Sequence, residues 1–423
     1  MQEPENPNEP VSAAAWRLLV FLTLLNVLNF VDRTLIANLG PMLIADLGLT
    51  KTQIGWLAGY GFVFFYTLVG LFLGVAADRW RRIPLVAAGV FVWSLMTGLS
   101  GLAKSFLQLA LPRIFVGVGE ATLTPASLSM LGDVFPNRRL AMATGVYYAG
   151  IPIGTAVSMI TVGFLAPAYG WRFCFYLLGA LGVVASVALL AFREPKRRGT
   201  PVEAAGPGPN VRQLVIDTVK ALKQKPELTL TLLGGSLLCY GAGAALLAVT
   251  WLVQERGLDF GTALFRAGLI AAAAGFLGNL GGGTFADWCA KKRKNGHLFA
   301  LIPMTAFFAP IAFVFYTLPP SSPFFYVCWF ITAAGTSAWF GPLFAALQRF
   351  APAHTRATTV GFALLVLNLL GVGPGPLFTG KIGDTVNLTL GLQVASGMVA
   401  LAIPVFYLAL RKAGGAAKLE VET

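Results

Sequence analysis

The chain has 423 residues, 56% hydrophobic and 12% charged, with a mean hydropathy of +0.73. A soluble globular domain carries about twice that charged fraction, so an ordinary cytosolic enzyme is excluded, and so is a disordered chain. The 31 Lys and Arg against 18 Asp and Glu leave a net charge of +13, and where those bases lie decides between a nucleic-acid partner and a membrane topology.

A bilayer-crossing helix needs about 20 apolar residues. In chain order such stretches run over 16–38, 53–77, 83–103, 107–131, 139–163, 171–192, 228–251, 264–285, 297–317, 323–346, 355–379 and 388–411. The expected organisation is a cytoplasmic tail (1–15), a six-helix bundle (16–192), a linker (193–227), a second six-helix bundle (228–411) and a cytoplasmic tail (412–423). The first ten residues hold Glu3, Glu5 and Glu9 and no base, the wrong sign for a signal peptide's n-region. The first span is therefore expected as a retained helix. Within the linker, Val211, Leu214, Val215, Thr218, Val219 and Leu222 fall on one helical face, and Arg212, Gln213, Asp217, Lys220 and Lys223 on the other. That pattern predicts an amphipathic helix over 211–224, lying on the membrane surface and tethering the halves.

With twelve spans and the N-terminus inside, about 23 bases fall in cytoplasmic segments and about 6 in outer loops, the positive-inside asymmetry. Both termini are thus expected in the cytoplasm of a plasma or inner membrane. Bases dispersed among loops exclude nucleic acid. The expected partners are the bilayer and an amphipathic small-molecule or lipid substrate, with the monomer as the working unit. Cys174, Cys239, Cys289 and Cys328 show no paired or metal-ligand spacing, and His297 and His354 read as surface residues. No HExxH, Gly-x-Ser-x-Gly or P-loop is present, so neither an enzyme nor an ATP-driven pump is expected. No cofactor or metal is expected beyond a coupling ion, the proton.

The chain repeats itself. Gly74-Val-Ala-Ala-Asp78-Arg79-Trp80-Arg81-Arg82 follows the second span, and Gly283-Thr-Phe-Ala-Asp287-Trp288 follows the eighth, 209 residues later. Each copy lies in the corresponding turn of a six-span half, which predicts two pseudo-symmetric bundles. With twelve spans, a long central loop and this doubled turn, the chain resembles the major facilitator superfamily over its whole length. It departs from the superfamily pattern at Arg81, where glycine is usual, and at Trp288, where Arg is. The resemblance implies an all-α polytopic fold and a conformational latch on the cytoplasmic side at Asp78, Arg79, Arg82 and Asp287. Asn29-Phe-Val-Asp32-Arg33, Arg113-Ile-Phe-Val-Gly117-Val-Gly119-Glu120-Ala121 and Gly150-Ile-Pro152-Ile-Gly154 are similar to the Spinster family. That likeness implies export or efflux of sphingolipids such as sphingosine-1-phosphate, or of lysophospholipids.

Charges inside spans cost roughly 3 kcal/mol or more each and mark function by default. Four stand out: Asp32, Arg33, Arg113 and Glu120, all in the first half; the positions 209 residues later are uncharged. If the first span ends near Gly40-Pro41 and the fourth begins near Pro112, Asp32 and Glu120 each lie about 12 Å from the same surface. Burial opposes charge on such carboxylates and a neighbouring guanidinium favours it. Asp32 and Glu120 are therefore the proton-coupling candidates, Arg33 the switch and anion contact, Asn29 a further cavity residue and Arg113 a structural brace. Tyr60, Tyr66, Tyr147, Tyr148, Trp339 and Phe340 are candidates for lining an otherwise apolar cavity. One base in such a cavity suits an anionic head on an apolar body. The expected function is proton-coupled secondary transport of a lipid-like organic anion by alternating access. The alternatives are a symporter of small organic anions or phosphate, a drug/proton antiporter, and a passive channel or scramblase.

Overall fold

A computed structural model of the chain describes residues 11–197, 220, 222–350 and 356–419. These residues fold as helices and connecting turns, with no strand among them. Eleven stretches are long and apolar enough to cross a bilayer, and burying every backbone polar group inside helices is what hydrocarbon demands. In order the helices are α1 (Ala13–Leu47), α2 (Lys51–Ala58), α3 (Tyr60–Arg79), α4 (Arg82–Ser100), α5 (Phe106–Glu120), α6 (Leu123–Val134), α7 (Asn137–Tyr148), α8 (Gly150–Tyr169) and α9 (Trp171–Leu189). After the linker follow α10 (Pro226–Ala244), α11 (Ala248–Gln254), α12 (Phe260–Lys292), α13 (Gly296–Phe315), α14 (Phe324–Ala338), α15 (Phe340–Phe350), α16 (Arg356–Leu367), α17 (Pro374–Thr385), α18 (Leu388–Ala400) and α19 (Ala402–Leu419).

The stretch 53–77 falls on α2 and α3, which meet at Gly59. Most of the helix expected over 211–224 lies outside the described residues. Two expected ends move. Helix α1 runs through Pro41 to Leu47, and α5 begins at Phe106 with Pro112 inside it. Both shifts are about two turns in the same direction, so Asp32 and Glu120 keep a common level, now roughly 21 Å from those ends.

By compactness the chain divides into two units: Met1–Leu35 with Phe65–Gly206, and Ile36–Phe64 with Pro207–Thr423. In the first, Arg82 is buried at the start of α4. It pairs with Asp133 at the end of α6 and, at 3.1 Å, with Glu194 beyond α9. It also donates to Ser129 Oγ (3.0 Å) and to the Pro195 carbonyl (2.9 Å). Glu194 in turn accepts the Arg82 and Ile83 amides at 3.0 and 2.9 Å, satisfying donors that a helix start leaves open.

In the second unit, α2 is bound along its length to α17. Thr50 and Gln53 form a capping box at its start. Asp384, in the last turn of α17, accepts the Lys51 and Thr52 amides at 2.8 and 2.9 Å and the Thr52 hydroxyl at 2.6 Å. A carboxylate at a helix N-terminus also meets the positive end of the macrodipole. Gly55 lies against the Pro376 backbone, leaving no room for a Cβ. At the far end Tyr60 donates to the Leu369 carbonyl (2.9 Å), within a single π-helical turn, Asn368–Val372. Such a turn frees carbonyls, and the tyrosine satisfies one. Asp384→Ala removes three acceptor contacts and is expected to cost about 1–2 kcal/mol, read as a lower unfolding temperature of the purified protein; an unchanged temperature would contradict the role given to Asp384.

Candidate functional site

The site is built in the first unit from a polar stripe on α1. Asn26, Asn29, Asp32 and Arg33 fall at helical spacing on one face. Asn26, Asn29 and Asp32 are buried, and buried polar groups require partners. Asn26 Nδ2 donates to the Tyr147 carbonyl at 2.8 Å, where α7 gives way to α8.

The two carboxylates have different surroundings. Asp32 Oδ2 accepts from the Thr97 hydroxyl of α4 at 2.7 Å, and Oδ1 lies 3.7 Å from Nη1 of buried Arg113 on α5. Arg113 donates as well to the carbonyls of Arg33 (2.9 Å) and Asp32 (3.5 Å). Asp32 is thus tied into a knot of α1, α4 and α5. Glu120 ends α5, its side chain 0% exposed, with Oε2 3.5 Å from Arg33 Nε. Neither Glu120 oxygen accepts a hydrogen bond from a described residue.

Arg33 is the member that reaches outward, with 26% of its side chain exposed. Its guanidinium lies 4.4 Å from the Tyr66 ring and 4.9 Å from the Phe30 ring, contacts that hold a cation without neutralising it. What brings Glu120 here is Gly119. A Cβ at that position would meet the Gly89 carbonyl at 2.6 Å and Trp93 at 2.9 Å, so only glycine lets α5 approach α4 this closely.

The structure therefore assembles Asn29, Asp32, Arg33, Arg113, Glu120 and Tyr66. Tyr147 is buried, with its hydroxyl 3.2 Å from Thr124 Oγ1, and half-exposed Tyr148 packs edge-on against it. Tyr60 and Trp339 belong to the second unit. There Trp339 helps line a small apolar cavity of about 70 Å³ with Met304, Phe308, Ala309, Tyr316 and Val399, and no charged side chain lines it. Phe340, next in the chain, is exposed and stacks on Trp339. Of the turn residues, Arg82 is held by Asp133 and Glu194 as above, and Asp287 lies 3.2 Å from His297 Nε2. The side chains of Asp78 and Arg79 lie outside those described. Sequence reasoning missed Asn26, Phe30 and Thr97. For Thr97 a signal was present: Ser94, Thr97 and Ser100 recur every three residues and mark one polar face on an apolar helix.

The family model of the Major Facilitator Superfamily matches residues 22–376. The chain belongs to that superfamily. It is 30% identical over 386 residues to an MFS-type efflux pump of Mycolicibacterium smegmatis, covering 90% of this chain and 87% of that one. It is 26% identical to the sphingosine-1-phosphate transporter SPNS2 of Xenopus tropicalis, covering 90% and 80%. Among solved structures it matches a bacterial homologue of the human lysosomal transporter Spinster, inward-facing and unoccupied. The TM-score is 0.82 at 25% identity, over 95% of this chain and 98% of that one. The chain is thus a multi-pass membrane transporter of that superfamily, similar to the Spinster homologue, and not an enzyme.

Proposed function

We propose that this superfamily member is a proton-coupled transporter of an amphipathic organic anion with a lipid-like body, working by alternating access. The observation that carries the reading is the pair of Glu120, wholly buried without a hydrogen bond from a described residue, and the partly exposed Arg33 3.5 Å from it. An ionised carboxylate so placed depends chiefly on Arg33, with a smaller contribution from Arg113, because burial otherwise costs several kcal/mol. An anionic substrate that engages Arg33 removes the dependence, and Glu120 then takes up a proton. Proton binding in turn loosens Arg33 from Glu120. Substrate and proton thereby acquire a reciprocal coupling free energy. The lipid named for one relative and the Spinster likeness support an apolar substrate body.

We place the termini and the linker in the cytoplasm, on the distribution of bases. Asp78, Arg79, Arg82 and Asp287 are assigned to biasing the conformational equilibrium from that side. The test is the unfolding temperature of the purified protein against sphingosine-1-phosphate, lysophosphatidylcholine and a small sugar acid. A ligand at 100 times its Kd stabilises by about 2.7 kcal/mol. A lipid-like anion is expected to stabilise the parent and to lose its effect on Arg33→Ala. Stabilisation by the sugar acid alone would overturn the substrate class.

A further inference from the structure

The second unit carries a groove that the transport cycle above does not use. It holds about 320 Å³ between α12, α13 and α14, lined by Leu277, Gly281, Phe285, Pro303, Phe307 and Ala338 among others. No polar side chain lines it, and Leu277 and Phe307 are exposed. These helices cross the membrane, so the groove opens on hydrocarbon.

One end of the groove leads to the α12–α13 turn, where Lys291, Lys292, Arg293 and Lys294 are consecutive and all exposed. The bases lie along aromatic rings. Lys292 Nζ is 4.0 Å from the Trp288 ring, and the Arg293 guanidinium is 4.3 Å from the Phe299 ring. Trp288 is 52% exposed and stacks on Phe285 of the groove wall, the setting of an interfacial tryptophan. The acid of this turn, Asp287, lies against His297. Among the described residues no carboxylate pairs with the four bases. In the first half the corresponding turn differs, because Arg82 is buried and held by Asp133 and Glu194.

From Leu277 to Lys292 the helix rises about 22 Å at 1.5 Å per residue. That is the depth of one leaflet, half of the roughly 40–45 Å that a bilayer spans with its headgroups. We propose that this groove and turn form a binding site for an anionic glycerophospholipid of the leaflet beside the α12–α13 turn. One acyl chain lies along Gly281 and Phe307, and the phosphate is met by Lys291–Lys294. Topology requires only that bases face the right side of the membrane. An apolar groove leading toward them adds recognition of the lipid's acyl part.

Native mass spectrometry of the full chain, equilibrated with phosphatidylglycerol and phosphatidylcholine of the same acyl composition, tests this. Phosphatidylglycerol is expected to be retained at least about tenfold over phosphatidylcholine, given the attraction of several bases to an anionic headgroup. Replacing all four bases with Gln abolishes the preference. Gly281→Leu lowers retention of phosphatidylglycerol itself. A Cβ at Gly281 has no atom within 4 Å, so that variant keeps its fold, checked by an unchanged unfolding temperature in lipid-free detergent. Equal retention of the two lipids, a preference that survives the Gln variant, or unaltered retention in Gly281→Leu would each overturn the site. Glycerol phosphate retained as well as the lipid would reduce it to an anion site and overturn it too.

Discussion

Glu120→Gln abolishes the response of transport to a pH gradient in proteoliposomes and leaves the protein folded. Gln has the size of Glu and stays neutral, so it mimics the protonated state that the cycle passes through. No hydrogen bond from a described residue is lost, since none reaches the Glu120 oxygens. With one proton moved per substrate, each pH unit of gradient supports about tenfold accumulation. In Glu120→Gln that accumulation falls to the equilibrium level, while exchange of substrate without a gradient persists. The measurement is gradient-driven uptake against counterflow. An unchanged gradient response would remove Glu120 from coupling. Asp32→Asn has a different expected outcome. It takes the charge away from the partner of buried Arg113 and disturbs the Thr97 contact, so it lowers stability as well as transport.

Arg82→Ala has the largest expected effect on stability. The side chain is buried and serves Asp133, Glu194, Ser129 and the Pro195 carbonyl together. Removing one partner of a buried pair costs about 3–5 kcal/mol, because the remaining charges lose their compensation. The unfolding temperature should fall by on the order of 10 °C. Arg81→Ala, at the exposed neighbouring position, serves as the control and should change nothing. A drop of the same size in both variants would contradict the role assigned to the Arg82 contacts.

Much of this was legible in the sequence, for a physical reason. Hydrocarbon admits long apolar helices and little else, so their existence follows from hydropathy. Their ends do not. Helix α1 passes Pro41 and α5 starts before Pro112, because an apolar surrounding keeps helix formation favourable beyond a residue that in water would end it. The break at Gly59 and the π turn at Asn368–Val372 were not legible either, since Tyr60 and Leu369 are more than 300 residues apart when they satisfy each other. The charged cluster was legible because charges within the membrane are too costly to keep idle. The division of labour within it was not. Asp32 and Glu120 look alike in sequence, and Thr97 and Arg113 distinguish them only through tertiary contact. Arg82 shows the limit of resemblance: the turn motif draws attention to it, and only the structure shows Asp133 and Glu194 holding it.

The most direct test of coupling through Glu120 and Arg33 is the count of protons exchanged when ligand binds. Sphingosine-1-phosphate is added to the weakly buffered purified protein and the pH change is recorded beside the binding isotherm. If ligand and Glu120 compete for Arg33, the parent takes up about one proton per ligand bound, and Glu120→Gln binds the ligand with no uptake. Uptake of the same size in Glu120→Gln, or binding to the parent with no proton exchanged, would contradict it.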